Sequence, residues 1–172
     1  MNLVLPYLFG KPVRLDPILD VLETTAIVRA AQKNGAIEVG GGSPKNFYLQ
    51  TQPMLQQILM DTSKKGHDYV IQLGVDAPHW GGLSGATPSE ARSWGKIKDA
   101  TRNTVVVYSC ASLTFPVLAQ YVLVRNRPRE PKKLYGRLPE LVGALESSAR
   151  TNQQLLRQLR RIASKTGRQA EP

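Results

Sequence analysis

The stretch Tyr69-Val70-Ile71-Gln72-Leu73 decides how this sequence folds. It is rich in β-branched and aromatic residues, which is typical of a strand. Two other short apolar segments, residues 36–39 and residues 104–108, have the same character. The second of these is mostly β-branched, so we expect a fully buried strand there.

Segments with helical spacing alternate with these three strands. They cover residues 17–33, 53–64, 89–99 and 113–124. The third helix is preceded by Thr87, a capping residue, and its first turn holds Glu90, which suits the positive end of a helix. This alternation predicts an α/β fold, a Rossmann-like three-layer domain with a parallel sheet between helices. Ligands of such sheets bind at the C-terminal ends of the strands.

The run Pro88-Ser89-Glu90-Ala91-Arg92-Ser93-Trp94-Gly95-Lys96 contains a candidate nucleophile. A lysine beside an indole and a glycine can lose part of its hydration, which lowers its pKa and leaves some of its amine neutral. A neutral amine attacks carbonyl or imine carbons while a nearby acid or base moves protons. The alternative interpretation of Lys96 is a surface lysine on a helix.

Two glycine-dense loops accompany this run. The first, Gly40-Gly41-Gly42-Ser43-Pro44-Lys45-Asn46, follows the first strand, and the second, Trp80-Gly81-Gly82-Leu83-Ser84-Gly85-Ala86-Thr87, leads into the lysine run. Glycines let a backbone approach a ligand closely and expose N–H groups that suit phosphate. The first loop lacks the spacing of the known phosphate-binding motifs, so a turn that ends the strand is the alternative. Together the two loops predict the walls of one pocket around Lys96.

These motifs, with Tyr108-Ser109-Cys110-Ala111-Ser112-Leu113, resemble those of the deoxyhypusine synthase family in order and nearly in spacing. The resemblance extends from about Asp16 to Leu123 and corresponds to the C-terminal part of the family's domain. It implies an NAD-dependent aminobutyl transfer. In that reaction spermidine is oxidised and cleaved, its butylamine arm is held as an imine on a lysine, and the arm passes to a lysine of a translation factor.

The resemblance assigns roles to individual residues. Lys96 matches the imine-forming lysine, Glu90 matches a carboxylate of the polyamine site, and Asn46 stands where eukaryotic members have a histidine that assists proton transfer. The positions that match cofactor contacts are Gly40, Gly41, Gly42, Val75, Asp76, Ser84, Cys110 and Ala111. The positions that match the substrate pocket are Trp80, Gly81, Gly82 and Leu83, besides Glu90. No metal site is implied.

Some positions depart from the family pattern. Trp80 and Leu83 replace aspartates of the polyamine pocket, and Cys110 replaces an aspartate that holds the cofactor ribose. A buried ammonium is costly without a carboxylate partner, so these losses argue against spermidine bound in the family's manner. The pattern suits divergent bacterial deoxyhypusine-synthase-like proteins that act on a different amine. Cys110 follows an apolar run, and we expect it to end a buried strand in a structural role.

The positive charge is concentrated near the C-terminus. The chain has 172 residues and a formal charge of +10, and the segment from Arg125 onward holds 12 basic and 4 acidic residues. We therefore divide the chain into an α/β domain, residues 1–124, and a basic linker with a helical tail, residues 125–172. A helix that packs or makes oligomer contacts is favoured over a nucleic-acid arm, because the tail lacks the aromatic residues of single-strand binders.

The chain is short compared with members of the family, which predicts that a second polypeptide or a second copy completes its structure. Members of the family are roughly twice as long, so a truncated product, one half of a split enzyme and a shortened paralogue are the three explanations. We expect a homo-oligomer or pairing with an N-terminal half, and a non-catalytic binding module is the alternative to an enzyme. The apolar segment 2–10 predicts a strand or a lead-in, and it is too short for a membrane span and lacks a signal peptide's basic start. The composition, with 41% hydrophobic residues and a single cysteine, predicts a soluble cytoplasmic protein.

Overall fold

The computed structural model describes residues 3–13, 15–99 and 102–166. Its centre is a parallel sheet of three strands, β1 (Gly35–Val39), β2 (Tyr69–Gly74) and β3 (Thr104–Tyr108), in the order β1-β2-β3. Ile37 pairs with Ile71, and Ile71 pairs with Val105. The three predicted strands and the α/β class are confirmed.

Helices follow each strand, and two more precede β1. They are α1 (Val4–Leu8), α2 (Pro17–Ala30), α3 (Ser43–Leu49), α4 (Thr51–Pro53) continued by a π-helical turn (Met54–Ile58), α5 (Pro88–Ser93), α6 (Ala111–Arg125), α7 (Leu138–Thr151) and α8 (Gln153–Thr166). Short 3-10 turns lie at Pro78–Trp80, Leu83–Gly85 and Leu134–Arg137. None of the helices in the described part of the chain is long and apolar enough to cross a membrane.

The helical segment after β1 differs from the prediction over residues 53–64. It begins ten residues earlier at Ser43, because Gly42, at φ 84°, turns the chain and Pro44 is pre-organised for a first helical turn. It ends at Ile58, two residues before Met60, whose φ of 53° lies outside the helical region. Asn46 therefore lies on a helix rather than in a loop.

Helix α5 is shorter than the predicted residues 89–99. Its start is as expected, since the Thr87 hydroxyl accepts a hydrogen bond from the Glu90 N–H. The helix ends at Ser93, because Gly95 adopts a φ of 75° that glycine tolerates best. The chain then becomes extended, and the Lys96 carbonyl accepts a 2.9 Å hydrogen bond from the N–H of His67. Lys96 is thus not a helical residue.

The core has two buried apolar clusters. One contains Ala26, Val28, Leu55, Leu141 and Leu145, and the other contains Leu49, Val70, Ala91 and Ile97. The first cluster includes Leu141 and Leu145 of α7, so this helix packs on α2. The division of the chain at residue 124 stays a prediction.

One face of the sheet is only partly covered. The side chains of Ile37 and Val105 are 57% and 55% exposed, although each neighbours Ile71 in the same row. The prediction that β3 is fully buried is therefore wrong, because β3 is an edge strand here. Parallel sheets are normally covered on both faces, so this row of apolar side chains is an unusual surface.

Two smaller predictions are also corrected. The segment before Gly10 contains α1 rather than a strand, and its apolar side chains are exposed. Cys110 does not end a buried strand: β3 ends at Tyr108, and the free thiol is exposed at the start of α6. The helix predicted after β3 is confirmed, with Pro116 inside it.

His67 joins the end of the lysine run to the core. The ring is fully buried, stacks on Tyr48 at 4.5 Å, and its Nδ1 lies 2.6 Å from Oδ1 of Asn34. An oxygen acceptor at that distance places the ring proton on Nδ1. Burial lowers the pKa of His67 to about 4, so the ring is neutral in the folded protein.

Acidification should destabilise the fold through His67. Its pKa is lower in the folded than in the unfolded chain, so its contribution is complete above about pH 6.5 and is lost as the pH falls toward 4. The maximum loss is about 3 kcal/mol. Urea unfolding across this window should show a steeper decline for the wild type than for His67→Gln. Equal slopes would contradict the role of His67, since every other titrating group is common to both proteins.

Candidate active site

The two glycine loops meet at the C-terminal edge of the sheet. A Cβ added to Gly41 would lie 2.6 Å from Cα of Ser84, so the backbones are in contact and only glycine fits there. The amide of Gln72 donates a 3.1 Å hydrogen bond to the Ser84 carbonyl from the neighbouring strand. The predicted pairing of the loops is therefore present.

Lys96 lies where the two loops meet α5. Its Nζ donates a 2.8 Å hydrogen bond to Oδ1 of Asn46, and it lies 6.0 Å from the centre of the Trp94 ring. Burial lowers the pKa of the Lys96 amine, and the positive charge of Lys45 lowers it further, whereas Glu90 opposes both. A larger share of this amine is therefore neutral than of a solvated lysine.

A second lysine holds the pocket together. Lys45 is almost fully buried, and its Nζ donates hydrogen bonds to the carbonyls of Ala86 at 2.7 Å and Ser84 at 3.4 Å. The carboxylate of Glu38 lies 3.6 Å from the same nitrogen. Burial raises the pKa of Glu38, and Lys45 only partly offsets this effect.

Sequence reasoning missed both members of this pair as site residues. Lys45 was noted only as part of the first loop, and Glu38 only as part of a strand. A signal was available, because a carboxylate inside a short apolar strand is rarely solvated when the sheet is covered. Its alternation with Ile37 and Val39 places Glu38 on the opposite face from those exposed side chains, toward the helices.

The predicted cofactor positions gather at the same edge of the sheet. Gly40 and Gly42 have φ of 82° and 84°, and a Cβ on either would meet no atom within 4 Å. Val75 and Asp76 follow β2, and Cys110 and Ala111 follow β3. The open glycine backbone fits a phosphate, and the exposed carboxylate of Asp76 fits a ribose hydroxyl. The thiol of Cys110 cannot replace a carboxylate in that second role. The described residues therefore fit part of NAD.

The predicted substrate positions are less closely gathered. Trp80 is 74% exposed, and Gly81 and Gly82 are also exposed. Leu83 and Asn46 line one cavity of about 600 Å³, which places Leu83 near the residue that binds Lys96. Glu90 is exposed and acts on Lys96 through its charge.

Comparison with known proteins identifies the family of the chain. Residues 4–122 match the deoxyhypusine synthase family. The chain belongs to that family, and the resemblance seen in its motifs is confirmed.

Individual relatives are similar over much of this chain. A deoxyhypusine synthase-like protein of Cyanothece sp. is 45% identical over 85% of the chain and 39% of its own length. A probable deoxyhypusine synthase 2 of Archaeoglobus fulgidus is 42% identical over 70% of the chain and 40% of its own length. The chain thus spans about two fifths of the length of the relatives it matches.

Substitution of Gly41 should separate the two loops. Gly41→Ala places a methyl group against Ser84, and we expect a loss of about 1–3 kcal/mol in the free energy of unfolding. Gly82→Ala is the matched control, because its φ of −77° suits alanine and its Cβ would meet no atom within 4 Å. Its effect should stay within about 0.5 kcal/mol. Equal losses in urea unfolding would show that the loops are not in contact.

Proposed function

We propose that the chain takes part in amine transfer of the deoxyhypusine synthase type, with Lys96 as the nucleophile that holds the transferred arm as an imine. The observation that supports this most is the hydrogen bond of Lys96 to Asn46 in a partly desolvated position. An amine that is neutral part of the time and held in one orientation is what imine formation needs.

The family uses NAD, which when bound accepts a hydride from the substrate amine and returns it at the end. The open edge at Gly40 and Gly42 would hold its phosphates, with Asp76 near a ribose. Lys96 then attacks the imine carbon of the oxidised substrate. The bond from this carbon to Lys96 forms, its bond to the leaving amine breaks, and a proton moves from Lys96 to that amine. An acceptor amine, such as a protein lysine, later displaces Lys96 from the carbon.

Two neighbours of Lys96, Asn46 and Glu90, differ in whether they can move a proton in these steps. Asn46 orients the amine through its carbonyl oxygen, but an amide cannot take up a proton at neutral pH. Glu90 attracts the proton of Lys96 through its charge, and this carboxylate is our choice for moving the proton to the leaving amine.

The residues of the pocket favour an amine substrate with fewer positive charges than spermidine. Trp80 and Leu83 offer apolar surface where carboxylates would pair with ammonium groups, and Glu90 is the carboxylate left at the matched positions. A short diamine or a guanidino amine needs fewer buried partners. We therefore include putrescine and agmatine with spermidine as test substrates.

The second candidate function is a non-catalytic partner of a longer family member. It is favoured by the apolar row of Ile37, Ile71 and Val105, which a parallel sheet would normally bury. A second copy of the chain, or a polypeptide that supplies the remaining part of the family's fold, would cover this face. An active enzyme would use the same assembly. The two candidate functions are therefore distinguished by whether substrate is converted, and assembly alone does not separate them.

Removal of the Lys96 amine should abolish transfer. We expect Lys96→Ala to show no transferred product with NAD and any of the three amines, by mass spectrometry, while its circular dichroism is unchanged. Lys98→Ala is the matched control, because this lysine is exposed and only two residues away. Unchanged turnover in Lys96→Ala would rule out the imine.

Charge on the bare sheet face should weaken assembly. We expect Ile37→Lys to reduce association of the chain with itself or with the full-length Cyanothece relative, measured by analytical ultracentrifugation. Ile18→Lys is the control, because this side chain is 82% exposed on α2. Equal behaviour of the two variants would mean that the sheet face is not the interface.

A further inference from the structure

Glu38 and Lys45 form a buried ion pair under the site, and the family resemblance assigns a role to neither residue. Their side chains are 3% and 5% exposed, and their charged atoms lie 3.6 Å apart. Replacing a buried pair of this kind by apolar residues is often neutral or stabilising. The pair therefore calls for an explanation other than stability.

Each end of the pair has a defined environment. Among the described residues neither oxygen of Glu38 has a hydrogen-bond partner, so the charge of Lys45 is what compensates its burial. The Lys45 ammonium donates to the carbonyls of Ser84 and Ala86. Lys45 also directly precedes Asn46 on α3, and Asn46 accepts the hydrogen bond of Lys96.

We propose that Lys45, held by Glu38, is a positioning residue for Lys96. It fixes the second glycine loop against the first, it fixes the turn of α3 that presents Asn46, and it places a second positive charge near the reactive amine. Glu38 acts only through Lys45, because its carboxylate anchors that ammonium in a place where an unpaired charge would be costly. This inference rests on the proposed function only in taking Lys96 as the reactive amine.

The electrostatics around Lys96 agree with this role. The charged groups that act on its amine are Glu90, which favours the protonated form, and Lys45, which disfavours it. Like charges at short range lower the pKa of a lysine, and burial does the same. Burial has the largest effect on the Lys96 pKa, and the charge of Lys45 lowers it in the same direction.

The test measures how Lys96 titrates, and it requires no turnover. Trace acetylation with acetic anhydride across the pH range of lysine titration, followed by peptide mass spectrometry, gives the labelling midpoint of Lys96. Lys45→Met should move this midpoint to higher pH and lower the labelling at neutral pH, whereas Lys45→Arg, which keeps the charge, should stay near the wild type. Lys98→Met should leave the midpoint unchanged, because Lys98 pairs with Asp68 on the surface.

Glu38→Gln tests whether Glu38 acts on Lys96 through Lys45. If Glu38 acts through Lys45, this substitution shifts the Lys96 midpoint in the wild-type background and has no further effect in Lys45→Met. The double variant should also unfold at a urea concentration closer to wild type than either single variant, because no buried charge is left unpaired.

Two outcomes would overturn the proposal. One is an unchanged Lys96 midpoint in a Lys45→Met protein that remains folded by circular dichroism. The other is an effect of Glu38→Gln that is the same in both backgrounds. Neither outcome depends on amine transfer, so a failure here is distinguishable from a failure of the Lys96 imine, which is tested by turnover.

Discussion

The contact between the two glycine loops is the constraint on which the rest of the site depends. Gly41 touches the backbone of Ser84, and Lys45 bridges from α3 to the carbonyls of Ser84 and Ala86. The loops follow different strands, so a parallel sheet is needed to bring them to one edge. Once they meet, Asn46 faces the lysine run, and the extended segment after α5 places Lys96 against it.

The chemistry of the site follows from the surroundings of the Lys96 amine. Lys96 loses part of its hydration beside Trp94, Asn46 gives it one neutral acceptor, and Lys45 adds a like charge nearby. Burial is the largest influence and lowers the pKa of the Lys96 amine, the charge of Lys45 lowers it further, and Glu90 raises it.

The sequence was informative where a local signal determines the structure. Residues 69–73 and 104–108 formed strands because β-branched side chains fit a sheet, and Thr87 capped α5 as expected. Two predictions failed for different reasons. Gly95 is a local signal that ends α5 before Lys96, and helical spacing alone does not reveal it. The exposure of Val105 depends on which strands surround it, which is a longer-range effect. The position of Glu38 inside an apolar strand signals a buried carboxylate, whereas its pairing with Lys45 depends on how α3 packs on the sheet.

The measurement that tests the central claim most directly is chemical trapping of the imine. The purified chain is incubated with NAD and, separately, with spermidine, putrescine or agmatine, reduced with borohydride, and mapped by peptide mass spectrometry. We predict an adduct on Lys96 whose mass identifies the transferred arm. An absence of adducts with every amine, or adducts on other lysines while Lys96 stays unmodified, would contradict the claim that Lys96 is the nucleophile.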